Sequence, residues 1–317
     1  MNVLNCPFSP DLGGEGTVEN VHVTPTSLLV LQPANSPSEL RVWFAQPWND
    51  IPIADLVARL ESPNGWWRDT AQRILTHRVD EIENNPEAVG KVMGLSMDSP
   101  GISSRVQAAA TISLIPSLAD SSYTTANLFG GSIASDSDAA VRRIAILLLE
   151  PNMRTDSEET RGVVAKAMLA LADDPDLSVR LQLILSLGEA KGDTGAALLG
   201  KMLRKNFDVP MMRSAGMTSL TPDNIGGVLK EALNAPAEEL NEELIGVLLA
   251  QAAAMGRSEQ LSEPLTVLVQ SVTADSPASR LELLAGTLGD VLNSDAAVSL
   301  KTNDAFQKAM SAAYAIA

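Results

Sequence analysis

Residues 136–149, "DSDAAVRRIAILLL", and residues 174–187, "DPDLSVRLQLILSL", follow one plan. Each opens on an aspartate, places Val-Arg five and six residues later, and continues into an apolar run. The apolar residues recur at three and four, the spacing that puts them on one side of an α-helix. The same plan occurs, less completely, in "SPNGWWRDTAQRIL" (62–75), "SPGISSRVQAAATI" (99–112), "FDVPMMRSAGMTSL" (207–220) and "DSPASRLELLAGTL" (275–288). The arginines are Arg68, Arg105, Arg142, Arg180, Arg213 and Arg280, and their positions advance by 37, 37, 38, 33 and 67. The last step is close to two periods, and between Arg213 and Arg280 lies "EELNEELIGVLLAQAAAMG", a helical run without an arginine. A fixed period of this length is the mark of a stacked array, in which each unit buries its apolar stripe only against its neighbours.

Within a unit the sequence reads as helix, short loop, helix. "PIADLVARLES" (52–62) is the first helix of the first unit, with Pro52 suited to a first turn. Ser62 and Pro63 end it, and the second helix starts around Asn64. Ser62, Ser99, Asp136 and Asp174 each stand six residues before their arginine, where a short polar side chain caps or closes the loop. Later units keep the feature approximately, with Asp208 and Asp275 five residues before Arg213 and Arg280. Counting from the arginine, positions −1, +3 and +7 are Trp67, Ala71 and Leu75 in the first unit and Val179, Leu183 and Leu187 in the fourth. Steps of four residues keep these on one stripe, which is expected to be buried throughout the series.

The bulk composition agrees. Hydrophobic residues make up 45% of the 317 residues but aromatics only 3%, so the core is one of Ala, Leu, Ile, Val and Met, the residues of packed helices. The formal net charge is −16, and no run of Lys or Arg stands out, which argues against nucleic-acid binding. With Cys6 alone there is no internal disulfide and no cysteine-based metal or haem motif. No apolar run approaches the roughly 20 residues of a membrane-spanning helix, and the first residues have no export signal. The expectation is a cytoplasmic chain without membrane insertion, or a periplasmic one if it belongs to an exported parent. Residues 1–50, rich in Pro, Gly, Asn and Ser, differ from the rest and read as an extended or short-strand arm, whereas 51–317 read as helical repeats.

A helical hairpin carrying Asp, five residues, then Val-Arg ahead of an apolar helix resembles the HEAT repeat, over roughly residues 52–293. The resemblance implies an all-α, HEAT-like solenoid of about seven hairpins behind a non-helical N-terminal arm. It also implies a polar ladder between neighbouring repeats, with Asp136 and Arg142, Asp174 and Arg180 as its best-matched positions. Arg68, Arg105, Arg213 and Arg280 hold the corresponding places in the other units.

All four tryptophans, Trp43, Trp48, Trp66 and Trp67, fall in the opening part of the chain, none beyond the first repeat unit. Trp67 sits in the buried stripe and is a large version of the Val or Met found there in other units. Trp66 occupies position −2, where other units have Ser, Ala or Met, so bulk is not required. Trp43, Phe44, Trp48 and Trp66 therefore form either a cap over the exposed end of the first repeat or an interface with another domain or chain. "PNGWWRDTAQRIL" (63–75) is very similar to the string that opens the repeat region of PVC-type bacterial proteins described as putative membrane-bound dehydrogenases. Those proteins place a propeller before the repeats and a CxxCH haem domain after them. This chain has too few residues before 51 for the one and too few cysteines for the other.

Chemistry is sparse. The histidines are His22 and His77, and there is no HExxH, Walker loop or GxSxG. "SDSD" (135–138) and "DDPD" (173–176) lack the glycine and distal glutamate of a calcium loop and recur where loop-closing aspartates belong. No catalytic, cofactor-binding or metal-ligating residue is nominated. The expected function is a non-catalytic interaction or scaffold module with an acidic surface, binding a protein partner with a basic patch. The alternative is a repeat segment belonging with a PVC-type redox protein, its partners being adjacent domains.

Overall fold

The computed structural model describes residues 50–115, 122–234 and 240–255, with positions 304, 307, 308 and 311. The expectations for the arm, including Trp43, Phe44 and Trp48, and for the unit of Arg280 lie outside the described residues. Within them the chain is all-helical. Its α-helices are α1 (Ile53–Arg59), α2 (Gly65–His77), α3 (Val79–Glu83), α4 (Pro86–Asp98), α5 (Ile102–Ile112), α6 (Ser122–Asn127), α7 (Ala139–Met153), α8 (Glu158–Leu171), α9 (Leu177–Ser186), α10 (Asp193–Asn206), α11 (Pro210–Thr218), α12 (Ile225–Leu233) and α13 (Glu242–Ala254). Helix α6 runs on into a π-helical turn, Leu128–Ile133.

The helices pair in chain order, α1 with α2, α4 with α5, the π turn with α7, α8 with α9, α10 with α11 and α12 with α13. Contacts between pairs form two rows. In one row α2, α5, α7, α9 and α11 each touch the next. In the other, α1, α4, the π turn, α8, α10 and α12 do so. The apolar core runs between the rows.

The stripe expected at positions −1, +3 and +7 is buried in every described unit. Trp67, Ser104, Val141, Val179 and Met212 at −1 are buried, as are Ala71, Ala108, Ala145, Leu183 and Gly216 at +3. So are Leu75, Ile112, Leu149, Leu187 and Leu220 at +7. Gly216 is small for a reason of packing: a Cβ there would lie 2.3 Å from Leu203 Cδ2.

Two local details differ from the sequence expectation. Pro52 is the residue before α1 rather than its first turn, with φ −57° and ψ 140°, and α1 ends at Arg59 rather than Ser62. The first helix of the third pair is not a plain α-helix. Its π turn closes with Ala134 N–H donating to Phe129 C=O at 2.9 Å. Gly130 in this turn allows the close approach of α8, since a Cβ would stand 3.0 Å from Ala167 Cβ.

Candidate interaction surface

The short turns inside the pairs are built alike. In the first, third and fourth pairs the residue four before the arginine is the helix N-cap. Asn64 Oδ1 accepts from Trp66 N–H at 3.0 Å, Asp138 Oδ1 from Ala140 N–H at 2.8 Å and Asp176 Oδ1 from Ser178 N–H at 2.7 Å. These satisfy N–H groups that the first helical turn leaves without partners. The residue six before the arginine closes the turn. Asp136 Oδ1 accepts from Asp138 N–H at 2.7 Å, Asp174 Oδ1 from Asp176 N–H at 2.9 Å, and Ser62 Oγ from Asn64 N–H at 3.3 Å. Sequence reasoning credited the residue at −6 and missed the cap at −4, although Asn or Asp directly before a helical run is its usual signal.

The arginines of the first four pairs fold back on their own turns. Nη1 of Arg68 donates to Ser62 C=O at 2.7 Å, that of Arg105 to Ser99 C=O at 2.7 Å, that of Arg142 to Asp136 C=O at 2.9 Å, and that of Arg180 to Asp174 C=O. The acceptor is a main-chain carbonyl, which explains why serine serves as well as aspartate at −6. In two of them the rest of the guanidinium reaches the next turn. Arg105 pairs with Asp136 of the following pair through one hydrogen bond (Nη2 to Oδ1 3.2 Å), its Nε standing 2.9 Å from Oδ2 without hydrogen-bond geometry, and Arg142 grips Asp174 through two (2.6 and 2.9 Å). Both ion pairs are largely buried, and the two-point contact of Arg142 fixes geometry as well as charge.

The series is imperfect at both ends. For Arg68 the residue of the next turn that corresponds to Asp136 and Asp174 is Ser99, which has no carboxylate, and Arg68 Nε, like Arg105 Nε, is buried without a hydrogen-bond partner. Ser99 Oγ instead donates to Glu61 Oε1 at 2.9 Å. In the fifth pair Phe207 holds position −6, and Arg213 lies over its ring, 5.2 Å from the centroid, with Glu243 at 3.6 Å. Lys205 pairs with Asp173 of the fourth turn. Consecutive turns are thus cross-linked from first to fifth, so they share one edge of the helix rows.

The links between pairs lie on the opposite edge, where Arg154 pairs with Glu189 at 2.7 Å and Lys191 with Asp156 at 2.9 Å. The two edges differ in charge. Across the turns (residues 56–68, 95–105, 130–142, 168–180 and 203–213) stand eight Asp or Glu and eight Arg or Lys. Across the described links 74–89, 150–161, 183–196 and 215–228 stand eleven Asp or Glu against Arg78, Arg154, Arg161 and Lys191. The edges differ in apolar character too. Of the ten large hydrophobic residues exposed among the described residues, seven belong to the turn edge: Trp66, Met97, Ile102, Leu169, Leu177, Val209 and Met211.

Trp67 is 6% exposed and Trp66 39%, their rings edge to face with centroids 4.7 Å apart. Arg59 lies over the Trp67 ring at 5.9 Å. His77 is exposed in the last turn of α2. A cleft of about 660 Å³ at the fifth turn is lined by Lys201, Arg204, Lys205, Asp208, Leu240, Asn241 and Glu242, a set of mixed charge. Among the described residues no helix is long and apolar enough to cross a membrane. No protein-family model matches the chain, and no curated protein matches it.

Proposed function

We propose that the chain is a HEAT-like solenoid of about seven hairpins whose acidic link edge is a non-catalytic docking surface for a protein with a basic patch. The observation that carries this is the division of charge, eleven carboxylates against four cations along one edge and eight against eight along the other. The two helix rows and the arginine contacts between successive turns support the repeat assignment. A rigid edge of one sign recognises a complementary surface by area and steers its approach. The chain's partners should then leave it as salt rises, because exposed charges are screened within about 8–10 Å at physiological ionic strength.

The test is capture of partners from the source cells by the full chain and by a variant with Asp156→Lys, Glu158→Lys and Glu159→Lys. All three residues are exposed, and circular dichroism would check that the helices persist. The reading expects one set of basic proteins held by the wild type at low salt and released by the variant. Identical recovery by both proteins would sink it.

A second reading makes the chain a repeat segment of a PVC-type redox protein, with Trp66 at a domain junction. It is favoured by the exposure of that indole in the stretch that resembles this family. The mass of the native protein in its source cells separates the two. A species near 33.5 kDa supports a free-standing solenoid, and one far larger supports the segment.

A further inference from the structure

We infer that the turn edge is a self-association surface, on which a second copy of this chain packs across a two-fold axis. Six exposed apolar side chains mark it without counting Trp66: Met97, Ile102, Leu169, Leu177, Val209 and Met211. Ile102 and Leu177 are first residues of their helices, and Met211 is the second of its helix. They therefore recur at one level of the array, one helix spacing or a multiple of it apart. Isolated exposed apolar residues are ordinary, but a row confined to one edge is the pattern of an interface.

Charge selects the occupant. The whole chain carries −16, so two copies repel each other over most of their surface. The turn edge is the exception, with eight carboxylates and eight cations across its five turns. Two of its cations, Arg105 and Arg142, 11% and 13% exposed, are already paired with Asp136 and Asp174 of the same chain. Covering the edge therefore leaves these charges paired, avoiding the usual penalty for burying an ionic surface. A strongly basic partner would gain nothing here that the acidic link edge does not offer more fully.

The area also suffices. Five turns at the 8–10 Å spacing of packed helices give an edge about 40 Å long, and two helix rows make it about 20 Å wide. The product, about 800 Å², is what each partner contributes to a standard interface. A two-fold arrangement lets the same row face itself, and it leaves both acidic link edges outward.

The experiment is sedimentation equilibrium on the full chain from about 0.1 to 100 μM, with the double variant Ile102→Asp, Leu177→Asp beside it. Wild type is expected to reach twice the mass of one chain, and the variant to stay at the mass of one chain with unchanged helical circular dichroism. The dissociation constant should rise by ~100-fold or more, as for the loss of central interface residues. If the double variant loses helicity, Met211→Asp, at a side chain 62% exposed, carries the same test. Leu114→Asp, between pairs, should leave the dimer intact. A wild type that stays monomeric throughout overturns the inference and leaves the row to another segment or a different protein. A dimer that survives both edge variants overturns it as well. The lysine substitutions on the link edge should leave the mass unchanged, so this test stands or falls separately from the docking proposal.

Discussion

Arg142 and Asp174, 32 residues apart, tie the third helix pair to the fourth through two parallel hydrogen bonds of 2.6 and 2.9 Å. The same guanidinium donates to the Asp136 carbonyl in its own turn at 2.9 Å. One side chain thus sets both the shape of a turn and the register between two pairs.

Removing the carboxylate leaves the Arg142 fork buried without its counter-charge. Asp174→Ala also removes the acceptor for Asp176 N–H. The expected loss is about 3–4 kcal/mol, and Asp174→Asn, which keeps an acceptor for the turn, should lose less. Urea denaturation of the three proteins checks the order.

Acid should weaken the same contact. The Arg142 guanidinium, by hydrogen bonding, holds the Asp174 carboxyl below its ordinary range. A carboxyl depressed in the folded state stabilises fully above its unfolded value of about 3.9 and loses this contribution as pH falls through the folded value. The stability gap between wild type and Asp174→Asn should therefore be level from neutral pH to about 5 and narrow below about 4. A gap unchanged at a pH of about 3 would contradict this account.

The Arg68 turn is a gap to be filled. Ser99 stands where Asp136 and Asp174 stand for Arg105 and Arg142, so the next turn offers Arg68 no carboxylate at that place. Ser99→Asp combined with Glu61→Gln, which removes the neighbouring carboxylate, should complete the contact. The expected gain is about 1 kcal/mol, or about 2–4 °C in thermal midpoint. A lower midpoint would show that the first turn cannot accommodate the carboxylate.

The adjacent tryptophans should behave oppositely. Trp67→Ala opens a cavity in the stripe between α1 and α2 and is expected to cost about 3–5 kcal/mol. Trp66→Ala, at a side chain 39% exposed, should cost roughly 1 kcal/mol or less. Thermal melts of the two single variants distinguish them.

Gly200 marks a close approach of α10 to α12. A Cβ there would lie 2.7 Å from the Val228 carbonyl oxygen, and main chain yields less readily than a side chain end. Gly200→Ala should therefore destabilise by about 1–3 kcal/mol despite alanine's higher helix propensity. The counter-example is Gly94, whose Cβ would meet nothing within 4 Å, so Gly94→Ala should be neutral or stabilising. Urea denaturation of both alanine variants separates the two cases.

Much of this is legible in the chain itself. The buried stripe from Trp67 to Leu220 follows from the spacing of residues along single helices, and so does the alignment of the arginines from one unit to the next. Helical periodicity is local physics, fixed by 3.6 residues per turn whatever the helix packs against. The folding of Arg68, Arg105, Arg142 and Arg180 onto the carbonyl six residues back is local as well, as are the caps at Asn64, Asp138 and Asp176, although the sequence reading credited the residue at −6 alone.

The tertiary structure decided what lies beyond one turn. Which carboxylate each arginine takes depends on the next pair: Arg105 takes Asp136, Arg142 takes Asp174 and Arg213 stands near Glu243, whereas the place corresponding to Asp136 is held by Ser99 for Arg68. The charge division is likewise invisible along the chain, where acidic and basic residues are mixed. It arises because antiparallel helices send alternate joins to opposite edges. Carboxylates scattered at intervals along the chain are thereby gathered on one edge, and matched pairs with an apolar row on the other.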